Sequence, residues 1–231
     1  EDLNNPIYKI ASFEINDIPL IKYVASKGKP IILSSGIATI EDIKLALETI
    51  RAEGNNQIAL LKCTSSYPAP DASLNLSAIT TLINQFPNAI VGYSDHSVGI
   101  RACCVAISRG AKAIEVHFTA DKRLTGPDQL LSKNEQEVSE IRDFADFAVK
   151  SLGDGVKRPY TSEYQTWKTQ RKGLFACRDI DVGELISYEN TLLCSPPLGL
   201  SPVALEDKAQ IHARINIQKG QPITKGKVYH A

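Results

Sequence analysis

The sequence predicts an α/β fold: five βα units around a parallel sheet, then a small β-rich region. Three observations carry this. Apolar runs start near residues 8, 30, 57, 89 and 113, spaced 22 to 32 residues apart, enough for one strand plus one crossover helix. The runs are nearly continuous rather than alternating, as expected of strands buried on both faces. Beyond about residue 152 the pattern changes to a polar stretch and then short β-like runs between turns. Five units fit either an open doubly wound sheet or five-eighths of a (β/α)8 barrel. They are too few for a whole barrel, which needs about 250 residues.

The expected strands are Tyr8 to Ser12, Pro30 to Ser34, Gln57 to Cys63, Ala89 to Ser94 and Ala113 to Phe118. The first helix follows Asp17-Ile18-Pro19, with proline near its start and Gly28 available as a left-handed stop. Thr39 before Glu41 and Asp42 marks the second; Ile40, Ile43, Leu47 and Ile50 share one face, and Gly54 ends it. Ser77 to Phe86 and Gly99 to Arg109 read as two more. Asn134 to Leu152 is the longest, with Val138, Ile141, Ala145 and Ala148 at helical spacing. Residues 1–152 thus form the βα region, 153–170 a linker, and 171–231 the β-rich domain. Within the last, Asp179 to Ser187 resembles Asn216 to Thr224 at an offset of 37, read as two similar β-turns.

The 231 residues carry 26 Lys+Arg against 26 Asp+Glu, so no general affinity for nucleic acid or anionic membrane is expected. No apolar run has transmembrane length, and no signal peptide is evident. The five cysteines lack zinc or disulfide spacing and are expected to be reduced, in a cytoplasmic protein. The chain lacks methionine and opens on Glu1, which suggests a piece of a longer one. Two unpaired sheet edges would make such a piece prone to associate.

Parallel strands bind ligands at their C-terminal ends. Here those ends hold Lys9, Ser12 and Glu14; Ser34-Ser35-Gly36; Lys62 to Pro68; Ser94-Asp95-His96; and Glu115-Val116-His117, with Asp128 following. Each has an ordinary structural explanation alone, as a helix cap, an ion pair or a hydrogen-bonded histidine. Together they suggest a metal-assisted site for an anionic substrate: two imidazoles suit Mn²⁺, Zn²⁺ or Fe²⁺, and lysine with hydroxyls suits phosphate or carboxylate. Walker, dinucleotide-binding and nucleophile-elbow motifs are missing, which weighs against a kinase, a dehydrogenase or a hydrolase.

Six motifs in order, Tyr8-Lys-Ile-Ala-Ser-Phe-Glu14, Lys29 to Gly36, Lys62 to Pro68, Gly92 to His96, Ile114 to Phe118 and Gly126-Pro-Asp128, closely resemble the sialic (nonulosonic) acid synthase family. The likeness covers nearly the whole chain. It implies the last five βα units of a TIM barrel, without the first three, followed by an antifreeze-like (SAF) β-clip domain, in a domain-swapped homodimer. It implies condensation of phosphoenolpyruvate with an N-acylated amino-sugar aldehyde, with Mn²⁺ or Mg²⁺ as cofactor. By the same resemblance His96 and His117 would bind the metal. Lys9, Ser12, Ser34 and Ser94 would contact phosphoenolpyruvate, and Glu14 would transfer a proton. Ser65, Tyr67 and Asp128 would contact the sugar.

Three positions depart from the family pattern. Ser65 stands where neuraminic acid enzymes carry Asn, and is more like the pseudaminic acid branch. Val116 stands where lysine is common. Ser195-Pro196-Pro197 replaces the Arg-Pro segment of the antifreeze-like domain. Two other classes compete: a degenerate homologue that binds sugar or a partner without turnover, and a different metal-dependent aldolase on the same scaffold.

Overall fold

The computed structural model describes residues 3–206 and 209–230. The chain divides into two compact units, Glu1–Gly155 and Val156–Ala231.

In the first unit, five strands alternate with helices: β1 (Tyr8–Ile10), α1 (Ile18–Ala25), β2 (Ile31–Ser34), α2 (Ile40–Ala52), β3 (Ile58–Lys62), α3 (Ala78–Gln85), β4 (Ile90–Asp95), α4 (Arg101–Ser108), β5 (Ile114–Val116) and α5 (Glu135–Ser151). The strands pair in chain order, all parallel. Ile10, Ile31, Leu33 and Leu60 from the sheet pack with Ile21 and Ala25 of α1 and with Ile43, Leu47 and Ile50 of α2, all buried. The helix signals act as read. Asp17 accepts from Leu20 N–H at the start of α1. Thr39 with Asp42, and Asn134 with Glu137, form reciprocal capping boxes. Gly28 and Gly54 adopt positive φ just after α1 and α2.

The sheet is curled into a half-barrel. Flat, its edge strands would stand about 19 Å apart, four spacings of about 4.8 Å. Yet Lys9 Nζ on β1 lies 3.4 Å from Glu115 Oε1 on β5. Two extended side chains cannot span the flat distance, so curvature must bring the edges together. Gly92 on β4 assists the packing: a Cβ there would stand 2.5 Å from Leu61 Cδ2 and 2.6 Å from the Ala113 carbonyl oxygen.

The second unit begins in the stretch read as a linker, which contains a 3₁₀ turn, Thr161–Glu163, and helix α6 (Tyr164–Gln170). Tyr164 and Trp167 stack there at 6.1 Å. Two antiparallel pairs follow: β6 (Gly173–Ala176) with β7 (Thr191–Cys194), and β8 (Ile211–Ala213) with β9 (Val228–His230). They form a β-clip-like domain. Leu174, Ile180, Ile186, Ile211, Ile217 and Ile223 are its core.

The 37-residue repeat is a local two-fold exchange. Ile180 and Ile217 trade backbone hydrogen bonds, both 2.9 Å. Asn216 Oδ1 accepts from Val182 N–H at 3.0 Å, and Asp179 Oδ1 accepts from Lys219 N–H at 2.7 Å. Each turn is capped by the equivalent Asx residue of the other, and both end on glycines at φ 83°.

Candidate active site

The half-barrel collects its polar side chains at the C-terminal ends of its strands. Of the described residues of this unit, Ser12, Ser34, Lys62, Ser94, Asp95, His96 and Lys133 are buried. Buried polar groups are costly unless partnered, so a dense set at one rim points to function rather than packing.

One part of the rim suits an anion. Ser12 Oγ and Ser65 Oγ share a hydrogen bond of 3.1 Å, joining the first and third strand loops. Gly36 closes over this pair. Its φ is +39°, and a Cβ would run into the side chains of both serines. Its N–H donates to Cys63 Sγ at 3.1 Å. Burial pushes the Cys63 thiol up, while the Gly36 N–H and the nearby lysines pull only weakly the other way. Cys63 therefore stays protonated and is a poor nucleophile. Ser34 Oγ is buried with no hydrogen-bond partner, a donor left open. Lys62 is taken up by local bonds. Its ammonium donates to Thr64 Oγ1 at 2.8 Å and to the Leu74 carbonyl, and burial lowers its pKa.

Across the half-barrel, Glu115 links two of the predicted residues. It lies 3.4 Å from Lys9 and accepts from Ser94 Oγ at 2.8 Å. Glu115 was not among the residues predicted to contact substrate. A lone acid between Ile114 and Val116 fits simple alternation, and only the curl reveals that it meets Lys9.

A second part gathers three rings. Tyr67 lies 4.1 Å from His96 between centroids and 5.9 Å from His117, and the two imidazoles are 5.4 Å apart at 82°. The loop bearing Tyr67 is tied to His96 through Ala69 N–H, which donates to the His96 carbonyl at 2.8 Å. Burial raises the Tyr67 hydroxyl, and the nearby carboxylates of Asp128 and Glu115 add to this. His96 Nδ1 lies 2.7 Å from the Thr64 carbonyl, which can only accept. Nδ1 therefore carries the proton and leaves the Nε2 lone pair free. Burial holds the His96 pKa below its ordinary value despite that bond, so the ring is neutral near pH 7. His117 Nδ1 faces a carboxylate oxygen instead, Asp128 Oδ2 at 3.3 Å.

The geometry thus brings together Lys9, Ser94 and Glu115 as one group, Ser12 and Ser65 as a second, and Tyr67, His96, His117 and Asp128 as a third. Glu14 is exposed, and its carboxylate accepts from the Ala11 N–H at 3.1 Å, capping its own 3₁₀ turn. Among the described residues no group of three or more His, Cys, Asp or Glu is arranged to hold a metal ion. The donor set nonetheless fits one in part: two imidazoles, each with Nδ1 facing an oxygen acceptor, leave their Nε2 atoms for a ligand. Their nitrogen favours a transition-metal ion over Mg²⁺, which prefers oxygen.

Fold and site together define a partial (β/α)-barrel protein whose rim is lined by hydroxyls, a lysine–glutamate pair and imidazoles. Residues 1–157 match the NeuB family model, and the chain belongs to the NeuB family. It is 41% identical to the spore coat polysaccharide biosynthesis protein SpsE of Bacillus subtilis, over 84% of this chain and 57% of that protein. It is 36% identical to the pseudaminic acid synthase of Campylobacter jejuni, over 95% of this chain and 63% of that protein. Among solved structures, the N-acetylneuraminic acid (sialic acid) synthetase of Leptospira borgpetersenii superposes with a TM-score of 0.67 at 36% identity, covering 71% of this chain and 57% of that one. The chain thus spans about three fifths of the length of these relatives. No helix among the described residues is long and apolar enough to cross a membrane. The five cysteines are free.

Proposed function

We propose that this chain carries the strand-end chemistry of a nonulosonic acid synthase, condensing phosphoenolpyruvate with an N-acylated amino-sugar aldehyde and releasing phosphate. The observation that carries the reading is the meeting of Lys9 and Glu115 across the curled sheet, beside the rings of His96 and His117. In this reading Lys9 is the cation for an anionic substrate, and the imidazoles hold the ion that would polarise the aldehyde oxygen. The family and the named relatives support the same reaction class.

In this reading C3 of the enol forms a bond to the aldehyde carbon, and the aldehyde oxygen takes up a proton. Water adds at C2, and the C2–O bond to phosphate then breaks. Lys9, Ser12, Ser34 and Ser94 bind the phosphate and carboxylate, where charge-assisted hydrogen bonds are strongest. In the free protein Glu115 holds Lys9 and Ser94, and the incoming anion displaces it from both. Glu14 is the proton-transfer candidate, released from its cap when substrate binds. Tyr67, Ser65 and Asp128 face the sugar. His96 and His117 would hold a divalent cation, Mn²⁺ in preference to Mg²⁺, which when bound supplies Lewis-acid polarisation of the aldehyde. The acceptor is a diacetamido 6-deoxy hexose, as Ser65 and the likeness to the pseudaminic acid synthase suggest. A homodimer accompanies this reading.

The test is phosphate release from phosphoenolpyruvate with Mn²⁺ and a panel of N-acetylmannosamine and 6-deoxy diacetamido hexoses. Release with the 6-deoxy sugars and little with N-acetylmannosamine is expected. Equal release without any acceptor, or none with every acceptor, would contradict the reading.

A further inference from the structure

We propose that Lys133 and Asp95 form a positioning pair that sets the spacing of His96 and His117, and so the affinity of the cation site; the inference rests on the cation reading above. Lys133 Nζ and Asp95 Oδ2 are 2.9 Å apart, and both side chains are fully buried. Burying such a pair is costly and often adds nothing to stability, so its presence beside the site calls for another reason. Its connections supply one.

All three ammonium donors are used. Besides Asp95, Lys133 donates to the Ser97 carbonyl at 2.7 Å and the Leu131 carbonyl at 2.9 Å. Asp95 and Ser97 flank His96, so one ammonium grips the chain on both sides of that imidazole. The other carboxylate oxygen is filled as well: Asp95 Oδ1 accepts from Tyr93 Oη at 3.0 Å and from Ser97 N–H at 2.9 Å.

The Lys133 backbone holds the chain that carries the other imidazole. Its N–H donates to the His117 carbonyl at 2.7 Å, and its carbonyl accepts from Thr119 N–H at 2.8 Å. The same stretch carries Asp128, which faces His117. One residue thus ties the ends of β4 and β5 together, fixing the rings 5.4 Å apart. The side-chain hydrogen bonds of Lys133 and Asp95 go to Ser97, Leu131, Tyr93 and Cys103 rather than to either ring, so the pair acts on the rings chiefly through the backbone that carries them. Losing such outer support typically weakens metal binding 10- to 100-fold.

The experiment measures Mn²⁺ binding to the whole chain by electron paramagnetic resonance, beside melting curves. Lys133→Met alone strands a buried carboxylate and is expected to melt early. The double variant Asp95→Asn with Lys133→Met buries no charge and is expected to fold. Its Mn²⁺ affinity should fall at least tenfold at near-unchanged melting temperature, with an altered line shape for the bound ion. Lys133→Arg keeps the charge but not the three-point grip; it should weaken binding less, and it carries the comparison if the double variant does not fold. Wild-type affinity and line shape in the folded variants would overturn the inference while leaving the cation reading intact. Equal Mn²⁺ binding by wild type and His96→Ala would remove both.

Discussion

The half-barrel and the β-clip-like unit use polar residues in opposite ways. The first buries serines, lysines, an aspartate and a histidine at one end of its sheet, and leaves Ser34 and Ser97 hydroxyls without partners. The second has an aliphatic core and places its polar groups in turns that cap one another, with only Asn190 and Thr191 buried among its described polar residues. Polar groups that a fold does not need for its own bonding are available to a ligand. By that criterion the first unit holds the groups open to a ligand, while the second spends its polar groups on capping its own turns.

Histidine substitution should break this contrast most sharply. His96→Ala and His117→Ala are each expected to abolish cation-dependent phosphate release and cation binding. His212→Ala, in the second unit, removes a ring stacked on Tyr229 and should leave both unchanged. Steady-state kinetics and Mn²⁺ titration of the three variants check this; loss of turnover in His212→Ala would erase the distinction.

Glycine substitution gives a smaller but parallel test. Gly36→Ala forces a methyl into Ser12 and Ser65 at positive φ and should cost about 1–3 kcal/mol from overpacking, with a rise in KM for phosphoenolpyruvate. Gly183→Ala or Gly220→Ala meets open space and carries only the left-handed backbone penalty, about 1 kcal/mol, with KM unchanged. Denaturant melts and KM values separate the two cases. Comparable to these, Asp179→Ala and Asn216→Ala should each cost about 1 kcal/mol, nearly equal because they fill equivalent places, with no effect on kinetics.

The pH dependence is the mildest expectation. Burial depresses the folded-state pKa of His96, so the unfolded chain takes up its proton first. The stability tied to this ring is present above its ordinary pKa of 6.5 and is lost as pH falls through the lower folded value. Metal-free protein should therefore melt earlier below about pH 6, and His96→Gln should flatten that slope. An unchanged slope would mean that His96 titrates as it does in the unfolded chain.

Much of this was legible in the sequence, for physical reasons. Ile31 to Ser34 and Ile58 to Lys62 declare themselves because both faces are covered and the runs are unbroken. Thr39 and Asn134 declare helix starts because the backbone needs their side chains there. Helix α6 escaped because its residues are all exposed, so it carries no apolar stripe. Glu115 was visible at its strand end but had no assigned role, because its partner Lys9 lies four strands away and only curvature unites them. Lys133 escaped because Ser132-Lys133-Asn134 reads as a polar approach to a helix cap. Nothing local distinguishes a fully buried lysine from a solvated one. The strand ends named the neighbourhood, while the pairings within it depended on the shape of the sheet.

The central claim is that the rim of the half-barrel performs condensation with cleavage of the C2–O bond of phosphoenolpyruvate. The most direct measurement follows phosphoenolpyruvate labelled with ¹⁸O at the bridging oxygen, incubated with the protein, Mn²⁺ and the acceptor sugars, by ³¹P NMR. Acceptor-dependent phosphate that retains the ¹⁸O is expected. Phosphate without the label would mean P–O cleavage by a hydrolytic site, and no acceptor-dependent phosphate at all would contradict the account outright.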